Sequence, residues 1–508
     1  MSSIPTPGPN DSNGADDPNG PSRLDPSDPA AFRRLAHEVL DACLDRLERV
    51  RELPWTPAAG SVPGADALPR DGVPLERVAD ELVRRIMPGA TGNTHPRFFG
   101  WVHGTGLASG LLAEMVAATM NSNCGGRSHV AIDVERTVID WCARVHGLPD
   151  TAGGVLCGGT SAATLVALHA ARVRRFGRAS RRAPGEAFAN ATCYAAEGTH
   201  QCVGGALELM GLGSESLRKL PIDPATGSLS LEALGEALAA DRAAGLSPLC
   251  LVGTAGSVNT GRFDDLEALA DAARRESLWL HVDGAFGAWV ALADAPWRDL
   301  ARGIARADSL AFDFHKWPYV QYAAAAVLVR ERDALGEAFG GDAAYLESEE
   351  AGLAAGSPWP CDLGPELSRE FRALKIWTAL RTHGLDALGA SITDNCAQAA
   401  ALGARVTASE ELELAAPVIS NVCCFRLSTD LVAGDAADAL HRAIATALQL
   451  SGECVLSTTR VDGAVVLRAA IVNHRTTLDD VRLTVEAVRR EARERTRTDA
   501  PSLTRTMT

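Results

Sequence analysis

The stretch Phe312-Asp313-Phe314-His315-Lys316-Trp317 decides how the rest of the chain is read. It closes an apolar run that starts at Ser309, so it reads as a buried strand ending in charged residues. Upstream, Leu278-Trp279-Leu280-His281-Val282-Asp283-Gly284-Ala285 has the same form: an apolar strand, a carboxylate, then two small residues. Open α/β sheets place their ligands at the carboxyl ends of their strands. Asp283 and Lys316 are therefore expected on one rim. Burying an unpaired ammonium is costly, so Lys316 should be deprotonated, paired or covalently used. Plainer readings exist for each residue alone. Asp283 could form a turn before Gly284, and the head of Lys316 could reach solvent.

Outward from these two strands, short apolar runs alternate with longer helical segments. Strands are expected at Gly154–Leu156, Ala191–Tyr194, Leu249–Val252, Leu278–Val282, Ser309–Phe312 and Ala324–Val329. Helices are expected between them, including Ser161–Phe176, Gln201–Met210 and Asp264–Arg275. This alternation predicts a mostly parallel sheet covered on both faces, an α/β fold. The expected organisation is a disordered segment at 1–27, a helical arm at 28–94, a large domain at 95–375, a smaller α+β domain at 376–494 and a polar tail at 495–508. Asp28-Pro29 reads as an N-cap and first helical position, with Leu35, Val39, Cys43, Leu47 and Val50 on one helix face. A long helix is expected over Phe371–His383. The smaller domain should hold strands near Val422–Leu427 and Val465–Ile471 and a last helix near Leu478–Glu491.

Gly153-Gly154-Val155-Leu156-Cys157-Gly158-Gly159-Thr160-Ser161 reads as a strand, a Gly-rich turn and a helix start. Amides at such a helix N-terminus, with the Thr160 and Ser161 hydroxyls, suit a phosphate. An ordinary βα turn with a Ser/Thr cap has the same pattern, and no Walker Lys follows. His200 also follows a strand and opens a helix, where it could stack on a flat ring or cap the helix.

The chain has 508 residues, 46% of them apolar, which is enough for several domains. A net charge of -15 argues against a nucleic-acid surface, which needs a basic stripe. The 12 cysteines show no zinc spacing and read as reduced thiols. No segment resembles a signal peptide or a membrane span, so a reducing cytoplasm is expected.

A Lys past one strand and an Asp past another suit a site that holds pyridoxal 5'-phosphate. The Lys bonds the cofactor aldehyde and the Asp pairs with the pyridinium nitrogen. These segments occur in the same order in the group II pyridoxal-phosphate decarboxylases, which include the aromatic-amino-acid, histidine and glutamate decarboxylases. The chain resembles that family from about Phe32 to Glu491. The matching motifs are His95-Pro96-Arg97-Phe98-Phe99, Val134-Glu135, the Gly158–Ser161 turn, His281–Ala285, Asp313–Trp317 and Phe371-Arg372-Ala373-Leu374-Lys375.

The resemblance implies a fold-type I architecture with a mostly parallel seven-stranded sheet, and a homodimer acting on an amino acid. It makes Lys316 the Schiff-base lysine, Asp283 the pyridinium partner and His200 the ring-stacking residue, with Ala285 on the other face. Gly159, Thr160 and Ser161 would contact the phosphate, with Asp313 and His315 nearby. The family often has Asn or Asp at Asp313; a carboxylate disfavoured beside a phosphate would bond backbone or water instead. Phe98, Phe99, Trp101 and His103 lie where the family lines its substrate entrance. Phe98, Trp101 and Tyr345 are the candidate substrate contacts. Arg372 and Arg468 could meet an anion or serve as structural ion-pair partners.

One departure stands out. Aromatic-amino-acid decarboxylases carry a loop Tyr that reprotonates the substrate carbon, and the matching position here falls near Trp359-Pro360. The chain has only four Tyr: Tyr194, Tyr319, Tyr322 and Tyr345. The expected reaction is decarboxylation of an L-amino acid to its amine. The missing Tyr leaves open a decarboxylation that ends in an aldehyde. A carbon–carbon lyase fits Trp317 less well. A silent dimerising homologue has no chemical reason to keep all the cofactor residues. The segment Gly352–Gly364 reads as a mobile lid.

Overall fold

The computed structural model describes residues 24–53, 55, 62, 68–183, 185–341 and 349–498. The described parts of Met1–Leu53 and Pro57–Ala90 form one compact unit. Those of Pro54–Thr56 and Thr91–Thr508 form the other.

In the first unit a helix spans Pro29–Glu48. Asp28 caps it, its carboxylate accepting from the amides of Ala30 (2.9 Å) and Ala31 (3.0 Å). Leu35, Val39, Cys43 and Leu47 share a stripe that is only half-buried, while Phe32 and Leu44 are exposed. A second helix begins at Leu75.

The second unit is built on a seven-stranded sheet. Its strands in chain order are β1 (Gly153–Cys157), β2 (Ala191–Ala196), β3 (Leu217–Leu220), β4 (Ser247–Thr254), β5 (Trp279–Asp283), β6 (Ser309–Asp313) and β7 (Ala325–Val329). The spatial order is β1-β7-β6-β5-β4-β2-β3. Strands β2 to β6 pair in parallel, and β7 runs antiparallel to both β6 and β1. Strands β4, β5 and β6 are buried almost throughout, as their near-continuous apolar sequences require when helices cover both faces. The covering helices include Thr160–Phe176, Gln201–Leu209 and Leu266–Glu276. Asp265 caps the last of these through Ala268 N (3.0 Å).

Beyond the large sheet, two helical segments span Arg372–Thr407 across a kink at Gly384, whose φ of 71° only glycine adopts readily. It leads to a four-stranded antiparallel sheet ordered β10-β11-β9-β8. Its strands are β8 (Leu412–Leu414), β9 (Val422–Leu427), β10 (Ser457–Val461) and β11 (Ala464–Ala470). A helix from Leu478 to Thr498 packs with it.

A buried ion pair ties the large sheet's edge to the segment before Arg372. Arg369 donates to both Glu135 oxygens (2.9 and 2.7 Å) and to the carbonyl of Leu156 (2.7 Å). Glu135 accepts from the Leu156 amide (3.1 Å). The pair thus holds both backbone groups of the residue two positions before Gly158, on an edge strand that lacks a second neighbour.

Candidate active site

Four strand ends meet at one cleft of about 350 Å³. β1 delivers the Gly158–Ser161 turn, β2 delivers His200, β5 delivers Asp283 and Ala285, and β6 delivers Asp313, His315 and Lys316. The ladder continues past the strands: Gly284 N donates to Ala311 O, and Asp313 N to Ala285 O, both at 2.9 Å. That extension fixes the loops of Asp283 and Asp313 against each other. The chain then turns back, with Phe314 N donating to Ala324 O (2.8 Å) and Tyr319 N to Lys316 O (3.2 Å). Gly104 packs against this turn so closely that a Cβ there would lie 1.9 Å from His315 O, so only glycine fits.

The charges inside are few and interlocked. Lys316 Nζ lies 2.7 Å from Asp313 Oδ2, and Asp313 Oδ1 accepts from Thr160 N at 2.7 Å. Asp313 therefore bonds a backbone amide as well as Lys316. Burial works against the Lys316 ammonium, but Asp313 outweighs it and holds the pKa above the ordinary lysine value. Asp283 is fully enclosed; burial raises its carboxyl pKa, and Lys316 pulls the other way. It accepts from Ala285 N at 3.2 Å and faces the Cys202 thiol at 3.9 Å. Burial pushes that thiol up to about 12, so it is a neutral donor rather than a nucleophile. His200 accepts from Cys202 N through Nδ1 (3.2 Å), so it caps its helix while its ring borders the cleft.

The residues present fit pyridoxal phosphate. Thr160 Oγ1 is buried at a helix N-terminus without a hydrogen-bond partner among the described residues, and Gly158 and Gly159 face open space. An acceptor-rich dianion would satisfy that hydroxyl. Among the described residues, buried Asp283 has one amide and one thiol as hydrogen-bond partners and no cation bonded to it. A pyridinium N–H would supply the missing charge.

The opposite wall carries Trp101 and His103, whose rings stack at 5.6 Å between centroids. Trp101 is about half exposed and sits at φ 54°, a strained conformation for a bulky residue. Arg468 donates to its carbonyl (3.0 Å) and holds it there. Phe98 is buried behind both rings rather than on the cleft wall. Tyr345 lies outside the described residues. Arg372 is engaged by Glu366 and Glu370, and Arg468 by Asn259 O, Trp101 O and Ser457. The segment Gly352–Gly364, expected as a lid, is tied down. Trp359 is buried and donates to Ala355 O (3.1 Å), and Cys361 N donates to Gly125 O (2.9 Å).

Sequence reasoning overlooked Cys202 and Tyr322 as wall residues. Cys202 is two positions past His200, at the helix start, which was a usable signal. Tyr322 reaches the wall only through the turn after Lys316, which no periodicity announces.

A family model described as the pyridoxal-dependent decarboxylase conserved domain matches residues 63–428. The aromatic-L-amino-acid decarboxylase of Sus scrofa is 30% identical over 91% of this chain and 96% of its own length. The phenylacetaldehyde synthase of Arabidopsis thaliana is 28% identical over 88% of this chain and 93% of its own. Among solved structures, Oryza sativa TDC with PLP and tryptamine superposes with a TM-score of 0.84 at 26% identity, covering 93% of this chain and 100% of that one.

Proposed function

Because the chain belongs to the pyridoxal-dependent decarboxylase family, we propose that it removes the α-carboxyl group of an aromatic L-amino acid as carbon dioxide and releases the amine. The observation that carries this reading is that Lys316, Asp283 and the Gly158–Ser161 turn, from three separate stretches, wall one cleft. The aromatic preference is supported by the Trp101–His103 wall and by relatives that act on aromatic L-amino acids or bind tryptamine.

Pyridoxal phosphate, when bound, supplies an electron sink for the pair released as the carboxyl bond breaks. The chain's residues do the rest. Lys316 is the amine that would bond the cofactor aldehyde, and Asp313 holds it in place through the 2.7 Å ion pair. Asp283 would pair with the ring nitrogen and keep it protonated. Thr160, Ser161 and the Gly159 backbone would hold the phosphate, with His315 beside them. His200 and Ala285 would lie against the ring. Trp101 and His103 hold the substrate side chain and exclude water.

The same reading includes a homodimer in a reducing cytoplasm. Leu112, Met115, Val116 and Met120 lie exposed along the helix Ala108–Met120, an apolar face suited to a second subunit. The 12 cysteines are free and mostly buried. Among the described residues, no helix is long and apolar enough to cross a membrane.

A second reading has one observation behind it: buried Trp359, followed by Pro360, stands near the expected place of the loop Tyr. That reading ends in an aldehyde with peroxide. Both are tested by supplying cofactor-loaded protein with single L-amino acids and quantifying amine, aldehyde and peroxide. Amine from an aromatic amino acid without peroxide supports the first. Aldehyde with matching peroxide replaces it with the second, and no product from any aromatic amino acid overturns both.

A further inference from the structure

Decarboxylation leaves an electron pair on the substrate α-carbon, and an amine forms only if an acid delivers a proton there. Tyr194 cannot serve: it is buried and donates to Asp241 Oδ2 at 2.7 Å. Tyr319 is buried too and donates to Asn395 Oδ1 at 2.8 Å. Among the described tyrosines, Tyr322 alone lines the cleft.

We propose that Tyr322 is the acid that protonates the substrate α-carbon. The proposal rests on the decarboxylase reading and fills the role that the Trp359-Pro360 segment leaves empty. Three features fix the ring in place. It packs on the His315 imidazole with centroids 4.4 Å apart and a tilt of 34°, next to Lys316 in sequence and on the same wall. Its main-chain carbonyl accepts from Lys375 Nζ at 3.1 Å, and that ammonium is anchored by Glu114 at 2.7 Å. Its hydroxyl meets the backbone of Gly104, the glycine pressed against His315. The Lys of the Phe-Arg-x-Leu-Lys motif thus positions this tyrosine.

The electrostatics serve both halves of the transfer. Partial burial raises the phenol pKa, so the hydroxyl carries its proton at neutral pH, while Lys316 acts in the opposite sense and steadies the phenolate. The pair left by the broken carbon–carboxyl bond takes the phenolic proton, so O–H breaks and C–H forms. Water at the half-exposed ring then returns a proton to oxygen. No oxidant is consumed. Without the donor, the pair is open to dioxygen: one amino acid, one dioxygen and one water give aldehyde, carbon dioxide, ammonia and hydrogen peroxide.

The test is Tyr322→Phe, which keeps the ring on His315, with Tyr345→Phe alongside. Cofactor affinity is measured by absorbance titration of each protein. Phenol ionisation in the cofactor-free proteins is followed by ultraviolet titration. Carbon dioxide, amine, aldehyde and peroxide are then quantified for each. The expected result is unchanged cofactor affinity, loss of one phenol titration, and amine per carbon dioxide falling roughly 100-fold in Tyr322→Phe, with aldehyde and peroxide making up the difference. An unchanged amine yield in Tyr322→Phe, or a shift in Tyr345→Phe instead, overturns the assignment and leaves the decarboxylase reading standing. A wild-type protein that releases no carbon dioxide overturns both.

Discussion

Lys316 and Asp313 are joined at 2.7 Å, and the same carboxylate holds the Thr160 amide with its other oxygen. One side chain thus links the proposed Schiff-base amine to the helix start proposed to bind phosphate. It also keeps Lys316 charged before the cofactor arrives, and a charged amine is not a nucleophile.

Asp313→Asn should therefore speed capture of pyridoxal phosphate at low pH. The amide can still accept from Thr160, so the turn should survive. Asp313 raises the Lys316 pKa, so removing its charge lowers that pKa and frees the amine earlier. The pH midpoint of the capture rate, followed by absorbance, should fall by about one unit. A midpoint that stays or rises contradicts the pairing.

Trp101 should matter to binding more than to the chemical step. Its ring is presented to the cleft from a strained backbone that Arg468 holds. Trp101→Ala should raise KM for an aromatic substrate roughly tenfold, with a smaller change in kcat. Equal KM values for variant and wild type would remove Trp101 from the substrate wall.

Arg369→Ala strips the partner from buried Glu135 and releases Leu156. Side chains of both charged residues are almost fully enclosed. A loss of about 3–5 kcal/mol is expected by urea unfolding, from the uncompensated buried carboxylate. A loss under about 1 kcal/mol would show that solvent reaches the pair.

Acid should destabilise the protein well before its carboxylates titrate. Burial holds His146 down to about 4 and His281 to about 3. Unfolded histidine titrates near pH ~6.5, so the unfolded chain binds these protons first. The stability is present above that pH and is lost as pH falls toward the folded values. At pH 5 each ring should cost about 2 kcal/mol. His146, which has neither ring nitrogen hydrogen-bonded among the described residues, offers the cleaner variant. His146→Leu should shallow the slope of stability against pH by one proton.

What was legible in the sequence follows from burial. β5 and β6 lie inside a parallel sheet, so their apolar runs are unbroken and their terminal Asp283 and Asp313 stand out. β3 was not anticipated, because Arg218 and Lys219 in an edge strand leave no apolar run to see. The long helix was expected to end at His383. Gly384 does break the helical backbone there, but helical turns resume beyond it. Lys316 and Asp283 were legible as motif residues. Tyr322 was not, because its place in the cleft depends on the turn that Gly104 and Lys375 hold in space. Phe98, a candidate substrate contact by its motif, is buried behind Trp101 and His103, since Trp55 and Val455 enclose it.

The most direct test of the account is carbon dioxide release from carboxyl-labelled aromatic L-amino acids by the cofactor-loaded protein and by Lys316→Ala. The account predicts release by the wild type and a loss of at least about 1,000-fold in the variant. No release by the wild type, or equal release by both, would contradict it.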